Sequence, residues 1–168
     1  ALDEVGKRFE SGRLFLPQLI SAAETAKLGF DEVKKAIEKS GAAAVESGTI
    51  VLATVKGDVH DIGKNIVRVV LENYGYRVID LGKNAEISAV TDAVVKNKIK
   101  LLGLSALMTT TVVNMEKTIR EVKKVAPDCK IMVGGAVLTP EYAQKIGADY
   151  YAKDANASVR IAKEIFSR

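Results

Sequence analysis

From residue 49 onward the chain alternates short apolar runs with stretches whose apolar positions recur at helical spacing. The runs Ile50–Val55, Arg77–Leu81, Leu101–Leu104, Lys130–Val133 and Asp149–Ala152 are predicted as strands. Residues 62–74, 86–98, 112–125, 140–146 and 155–167 are predicted as helices. The strands are continuously apolar rather than alternating, as required when helices cover both faces of a sheet. Before residue 40 the pattern is different. Leu2, Val5 and Phe9 recur at helical spacing until Ser11-Gly12 breaks the run, and Pro17 suits the first turn of a second helix. Leu16, Leu19, Ile20 and Ala23 form one apolar stripe, continued by Phe30, Val33 and Ile37. Such helices cannot bury their apolar faces alone and are predicted to lie against another body.

Five strands in strict alternation with five helices predict an α/β fold built on an open, doubly wound parallel sheet. The size of the unit selects a flavodoxin-like (Rossmann-like) five-stranded sheet of order 2-1-3-4-5. Residues 1–39 are read as a partial helical cap, 40–48 as a linker of small residues, and 49–168 as the sheet domain. The first residues already read as the inside of a helix, so the chain is expected to be an excised piece of a longer polypeptide.

Composition narrows the function. The net charge of +4 is spread over intermixed acids and bases without a basic block, which argues against a nucleic-acid partner. No uninterrupted apolar span is present, so no membrane partner is expected. A single cysteine, Cys129, excludes an internal disulfide and fits a reducing, cytoplasmic compartment.

In open α/β sheets, ligands bind beyond the carboxyl ends of the strands near the switch point. Three unusual stretches are predicted there: Gly57-Asp58-Val59-His60-Asp61-Ile62-Gly63 after strand one, Ser105-Ala106-Leu107 with Thr109-Thr110-Thr111 after strand three, and Gly134-Gly135 after strand four. His60 is the only histidine, and with Asp58 it falls short of the three or four ligands a protein-only zinc site needs. It can instead supply one axial ligand to a metal whose other positions a macrocycle fills, with Asp58 fixing the tautomer. Each element also has a plain structural reading. Ser105 can satisfy a backbone group, Thr111 and Asp58 can cap helices, and the glycine pair can form a turn.

Asp58-x-His60-x-x-Gly63, followed by Ser105-x-Leu107 and Gly134-Gly135, resembles the signature of cobalamin-binding modules that hold the cofactor base-off with histidine as lower ligand. The run from Ala53 to Val67 is very similar to cobalamin-dependent methionine synthase, and Gly12–Gln18 looks like the cap of cobalamin-dependent methyltransferases. The resemblance implies methylcobalamin as cofactor. It implies that His60 ligates cobalt through Nε2, that Asp58 accepts from Nδ1–H, and that Thr111 extends a proton relay. It places the nucleotide tail in a slot lined by Ser105, Leu107, Gly134 and Gly135, with Ser105 and Thr109 as polar contacts, the glycines leaving room for the flat base, and Ala155 nearby. Phe9, Leu16 and Leu19 match apolar residues that lie over the upper face of the corrin.

The activity implied is methyl relay, in the first place from methyltetrahydrofolate to homocysteine within methionine synthase. Its partners would be homocysteine, folate and reactivation modules. The alternative is a free-standing corrinoid protein serving methanol, methylamine or O-demethylation systems, with separate methyltransferase subunits as partners. An adenosylcobalamin mutase subunit, a cobalamin photosensor and a flavodoxin-like response domain fit less well.

Overall fold

A computed structural model describes residues 47–167 without a break, together with Glu4, Val5, Arg8, residues 11–15, Pro17, Gln18, Ser21, Ala22, Thr25, Leu28 and Gly29. The expected lid residues Phe9, Leu16 and Leu19, and most of the predicted linker, lie outside the described residues. Around Gly12 the chain turns, with Gly12 at φ +71°. Pro17 opens the next helical run, where Gln18 Oε1 accepts the Phe15 N–H at 2.8 Å.

The sheet domain runs β1 (Thr49–Thr54), α1 (Ile62–Asn73), β2 (Arg77–Asp80), α2 (Ile87–Lys96), β3 (Leu101–Ser105), a 3-10 turn (Thr109–Thr111), α3 (Val112–Val125), β4 (Lys130–Gly134), α4 (Pro140–Lys145), β5 (Tyr150–Tyr151) and α5 (Ala155–Phe166). All strand pairs are parallel and the order is β2-β1-β3-β4-β5, as the alternation and size predicted. β5 is shorter than predicted: only Tyr150 and Tyr151 pair with β4.

Within each apolar run, successive side chains go to opposite faces. Val51, Ala53, Leu102, Leu104, Ile131 and Val133 pack with α2, α3 and α4. Ile50, Leu52, Leu101 and Met132 pack with α1 and α5 on the other face. Gly103 follows the second set in register, between Leu52 and Met132. A Cβ there would lie 2.5 Å from Leu52 Cδ2 and 2.9 Å from Met132 Cε. The centre of the α1/α5 face therefore has no side chain from β3, and a hollow opens there. Cys129 is buried, and burial together with the Asp149 charge pushes its thiol up to about 12, so it stays a neutral packing group.

Candidate corrinoid site

The loop after β1 is set by backbone geometry. Asp58 N–H donates to Val55 O at 3.0 Å, closing a tight turn with Gly57 at φ +85°. That conformation is open to glycine at little cost and strained for other residues. The next link is the spacing of Asp58 and His60. Asp58 Oδ1 accepts the His60 backbone N–H at 3.0 Å and the His60 ring Nδ1–H at 2.9 Å. Asp-x-His is the spacing that lets one carboxylate oxygen do both, as an Asx-type turn with the ring folded back onto it.

The other oxygen of Asp58 reaches across the switch point. Asp58 Oδ2 accepts from Leu107 N at 2.7 Å, Met108 N at 3.2 Å and the Thr111 hydroxyl at 2.8 Å. Asp58 is fully buried, with 0 % of its surface exposed. Burial pushes its carboxyl up, but hydrogen bonds from the His60 and Leu107 backbones, the His60 ring and Thr111 outweigh it, and the group lies well below the usual carboxylate range. An ionised Asp58 can only accept, so Nδ1 of His60 carries the hydrogen between them, and in the neutral ring the lone pair is then on Nε2. The His60 side chain is 46 % exposed, so this lone pair belongs to a ring at the surface rather than in the core.

Around that ring the surface is unusually apolar. Val59, Ile62 and Leu107 are 56 %, 73 % and 42 % exposed. Beside them a cavity of about 730 Å³ runs between α1 and α5 over the sheet. Its floor is Leu52, Gly103 and Met132; one wall is Ile66, Val67, Val70 and Asn73 of α1; the other is Ala155, Asn156 and Ser158 of α5. The mouth carries His60, Asp61, Gly63, Ser105, Gly134 and Gly135. Asn73 is buried along α1, and its Oδ1 has no partner although Nδ2 donates to Val69 O at 2.8 Å. From Ile62 to Asn73 the helix rises roughly 16 Å, so the slot is deep enough for an extended tail.

The predicted residues are therefore brought together with some changes of emphasis. Thr54, Ser105 and Gly134 form one row across β1, β3 and β4. Ser105 Oγ lies 2.8 Å from the buried Thr54 hydroxyl, so its partner is a side chain rather than a backbone group. Gly134 and Gly135 are required by backbone approach. A Cβ on Gly134 would sit 2.9 Å from Ala152 O, and on Gly135 (φ +138°) 1.8 Å from Ala106 O. Thr109 is exposed in the 3-10 turn and does not line the cavity. Gly57 and Asp58 stand behind the cavity wall rather than in it. Thr111 precedes α3 but makes no side-chain cap; its hydroxyl serves Asp58 and Met108 O instead. It is buried, and its one hydroxyl proton has two acceptors at 2.8 Å, Asp58 Oδ2 and the Met108 carbonyl.

Sequence reading missed several supports. Asn84 Oδ1 accepts the Gly57 N–H at 2.7 Å, and Asn114 Nδ2 donates to Lys56 O at 2.8 Å. Lys64, in the first turn of α1, is buried and places Nζ 2.6 Å from both oxygens of Asp80 at the end of β2. Only Gly103 left a readable trace, since glycine inside a strand marks a close approach.

The arrangement suits a metal carried by a large flat ligand. Among the described residues no group of three or more His, Cys, Asp or Glu converges to hold a bare ion. One oriented imidazole, an apolar rim, a deep slot made by a strand glycine and an unpartnered buried oxygen within it fit a corrinoid with a displaced tail.

Two family models, each described as a B12 binding domain, match residues 48–160 and 1–34. The chain belongs to this family. As a B12-binding protein its cofactor is a corrinoid, and its N-terminal segment is a partial cap preceding the flavodoxin-like domain. This B12-binding chain is 40% identical over 168 residues to dimethylamine corrinoid protein 3 of Methanosarcina mazei, covering 99% of itself and 100% of that relative. A cobalamin-binding protein from Desulfitobacterium hafniense superposes with a TM-score of 0.84 at 34% identity, over 97% of this chain and 77% of the other. The methanol:cobalamin methyltransferase complex MtaBC of Methanosarcina barkeri gives a TM-score of 0.78 at 30% identity, over 99% of this chain and 63% of the other. These relatives favour the corrinoid-protein alternative over the methionine synthase reading. Among the described residues no helix is long and apolar enough to cross a membrane.

Proposed function

We propose that this chain is the corrinoid carrier of a methylamine or methanol methyltransferase system, working with a separate methyltransferase subunit. The observation that carries the reading is the pairing of a buried, five-fold hydrogen-bonded Asp58 with a half-exposed His60 at the mouth of a deep slot. The names of the relatives support the choice of amine or methanol as methyl source.

In this reading His60 holds cobalt through Nε2, and Asp58 keeps Nδ1 protonated so that the Nε2 lone pair faces outward. Thr111 and the Leu107 and Met108 amides hold Asp58 ionised. The exposed apolar side chains of Val59, Ile62 and Leu107 would support the macrocycle. The residues that would hold the tail are Ser105, Gly134 and Gly135, with Asp61, Gly63 and Ala155 beside them; Phe9, Leu16 and Leu19, of a cap assigned to 1–39, would be the contacts to the upper face. Residues 40–48 would join that cap to the domain at 49–168. When bound, a corrinoid supplies a cobalt atom able to receive a methyl group and pass it on. Activation of a thiol acceptor requires a metal–thiolate site elsewhere, since the described residues contain one buried cysteine and no metal cluster.

The test mixes the reduced, corrinoid-loaded chain with a dimethylamine or methanol methyltransferase subunit and its substrate, following the absorbance of methylated corrinoid. Methylation dependent on both subunit and substrate supports the assignment. Methylation by methyltetrahydrofolate with a folate-binding module, and by neither amine nor methanol, would overturn it.

A further inference from the structure

Asn84 lies in the loop between β2 and α2 in a left-handed conformation, φ +53°. Its side-chain Oδ1 accepts the Gly57 N–H at 2.7 Å, and its own backbone N–H donates to Asp58 O at 2.9 Å. One residue thus brackets Gly57-Asp58 from both ends. The loop that carries it is itself anchored: Thr54 N–H donates to Gly82 O at 2.9 Å, and Ala85 N–H to Thr54 O at 3.0 Å. On the other side Asn114 of α3 holds Lys56 O. The exposed Lys56–Glu86 pair at 2.8 Å adds little by comparison.

The consequence follows from Asp58 having no slack. Its carboxylate bridges His60 on one side and Leu107, Met108 and Thr111 on the other. A shift of the Asp58 backbone therefore disturbs its bonds to both sides at once. We propose that Asn84 is a positioning residue for the His60 imidazole: by clamping Gly57-Asp58 it holds the ring in the single tautomer that offers Nε2 to cobalt. This rests on the reading of His60 as the lower ligand.

Because the chain has one histidine, labelling with ¹⁵N-histidine reports on His60 alone. Ring ¹⁵N spectra of the full chain without corrinoid are compared for the parent, N84G and N84D, alongside titration with methylcobalamin. N84G tolerates the left-handed backbone and keeps its N–H, so it removes only the acceptor for Gly57; N84D restores one. The parent is expected to show a protonated Nδ1 and an unprotonated Nε2, N84G a mixture of tautomers, and N84D the parent pattern. Methylcobalamin affinity of N84G should fall by about threefold to tenfold, the weight of one hydrogen bond. A parent-like tautomer in N84G, or an N84D as disturbed as N84G, would overturn the proposal. Mixed tautomers in N84G with unchanged affinity would uphold the positioning role and count against His60 as the ligand.

Discussion

Asp58 Oδ1 binds His60 twice, through the backbone N–H at 3.0 Å and the ring Nδ1–H at 2.9 Å. One oxygen thereby fixes both the path of the chain into His60 and the orientation of its ring. The first prediction concerns that oxygen. D58N puts an amide among five donors, and D58A leaves them all unmatched. Losing a buried, charged acceptor of this kind costs about 1–3 kcal/mol or more, so both variants should melt earlier in denaturant. D58N should also bind methylcobalamin with less imidazole ligation in its absorption spectrum.

Acid should act on the same group. The folded-state pKa of Asp58 is depressed, so its contribution to stability is present above the ordinary carboxylate range, near 3.8, and is lost as the pH falls from there toward the depressed value. Urea midpoints of the corrinoid-free chain measured from pH 5 down to pH 3 should fall more steeply for the parent than for D58A. Equal slopes would mean that Asp58 is not held ionised by its surroundings.

Gly135→Ala tests whether the glycine pair serves backbone approach. Its Cβ would lie 1.8 Å from Ala106 O, in the loop whose next two amides bind Asp58. Strain and lost bonds together should destabilise by about 2–4 kcal/mol. A calorimetric melt within a degree of the parent would contradict the geometry.

Lys64 and Asp80 form a buried pair that ties the first turn of α1 to the end of β2. K64M leaves the carboxylate with Arg68 at 3.5 Å and the Gly82 N–H as its remaining neighbours. Breaking one side of such a pair costs about 3–5 kcal/mol, whereas replacing both partners by apolar groups is often close to neutral. K64M/D80L should therefore recover most of the stability that K64M loses.

Gly103→Val would fill the floor of the slot. Its Cβ would meet Leu52 and Met132, and its methyls would add bulk on the face between α1 and α5. Overpacking costs about 1–3 kcal/mol, and methylcobalamin binding should fall further than stability does. Binding at parental strength would show that the tail lies elsewhere.

The sheet was legible because its strands are apolar on both sides and its helices periodic; helix boundaries agree to within about two residues with those predicted. Asp58-x-His60 was legible because the bonds that matter span two residues. Asn84, Asn114 and Thr54 were not, since each acts across 27 to 58 residues through a backbone group or hydroxyl that any polar side chain could have served. Lys64 carried no signal of its own in the sequence, and only the end of β2 shows why it is buried. The choice between methionine synthase and an amine or methanol carrier was beyond these residues for a physical reason. In the proposed reading they would face the cofactor's lower side and tail, where the methyl donor would meet neither.

Electron paramagnetic resonance of the cobalt(II) form bears on the central claim most directly. The chain is labelled with ¹⁵N-histidine and loaded with unlabelled cobalamin, so an axial nitrogen from His60 splits each line into a doublet, while the cofactor's own base gives a triplet. The account predicts the doublet, and its loss in H60A. A triplet from the labelled parent would show the cofactor's base still on cobalt and would contradict it.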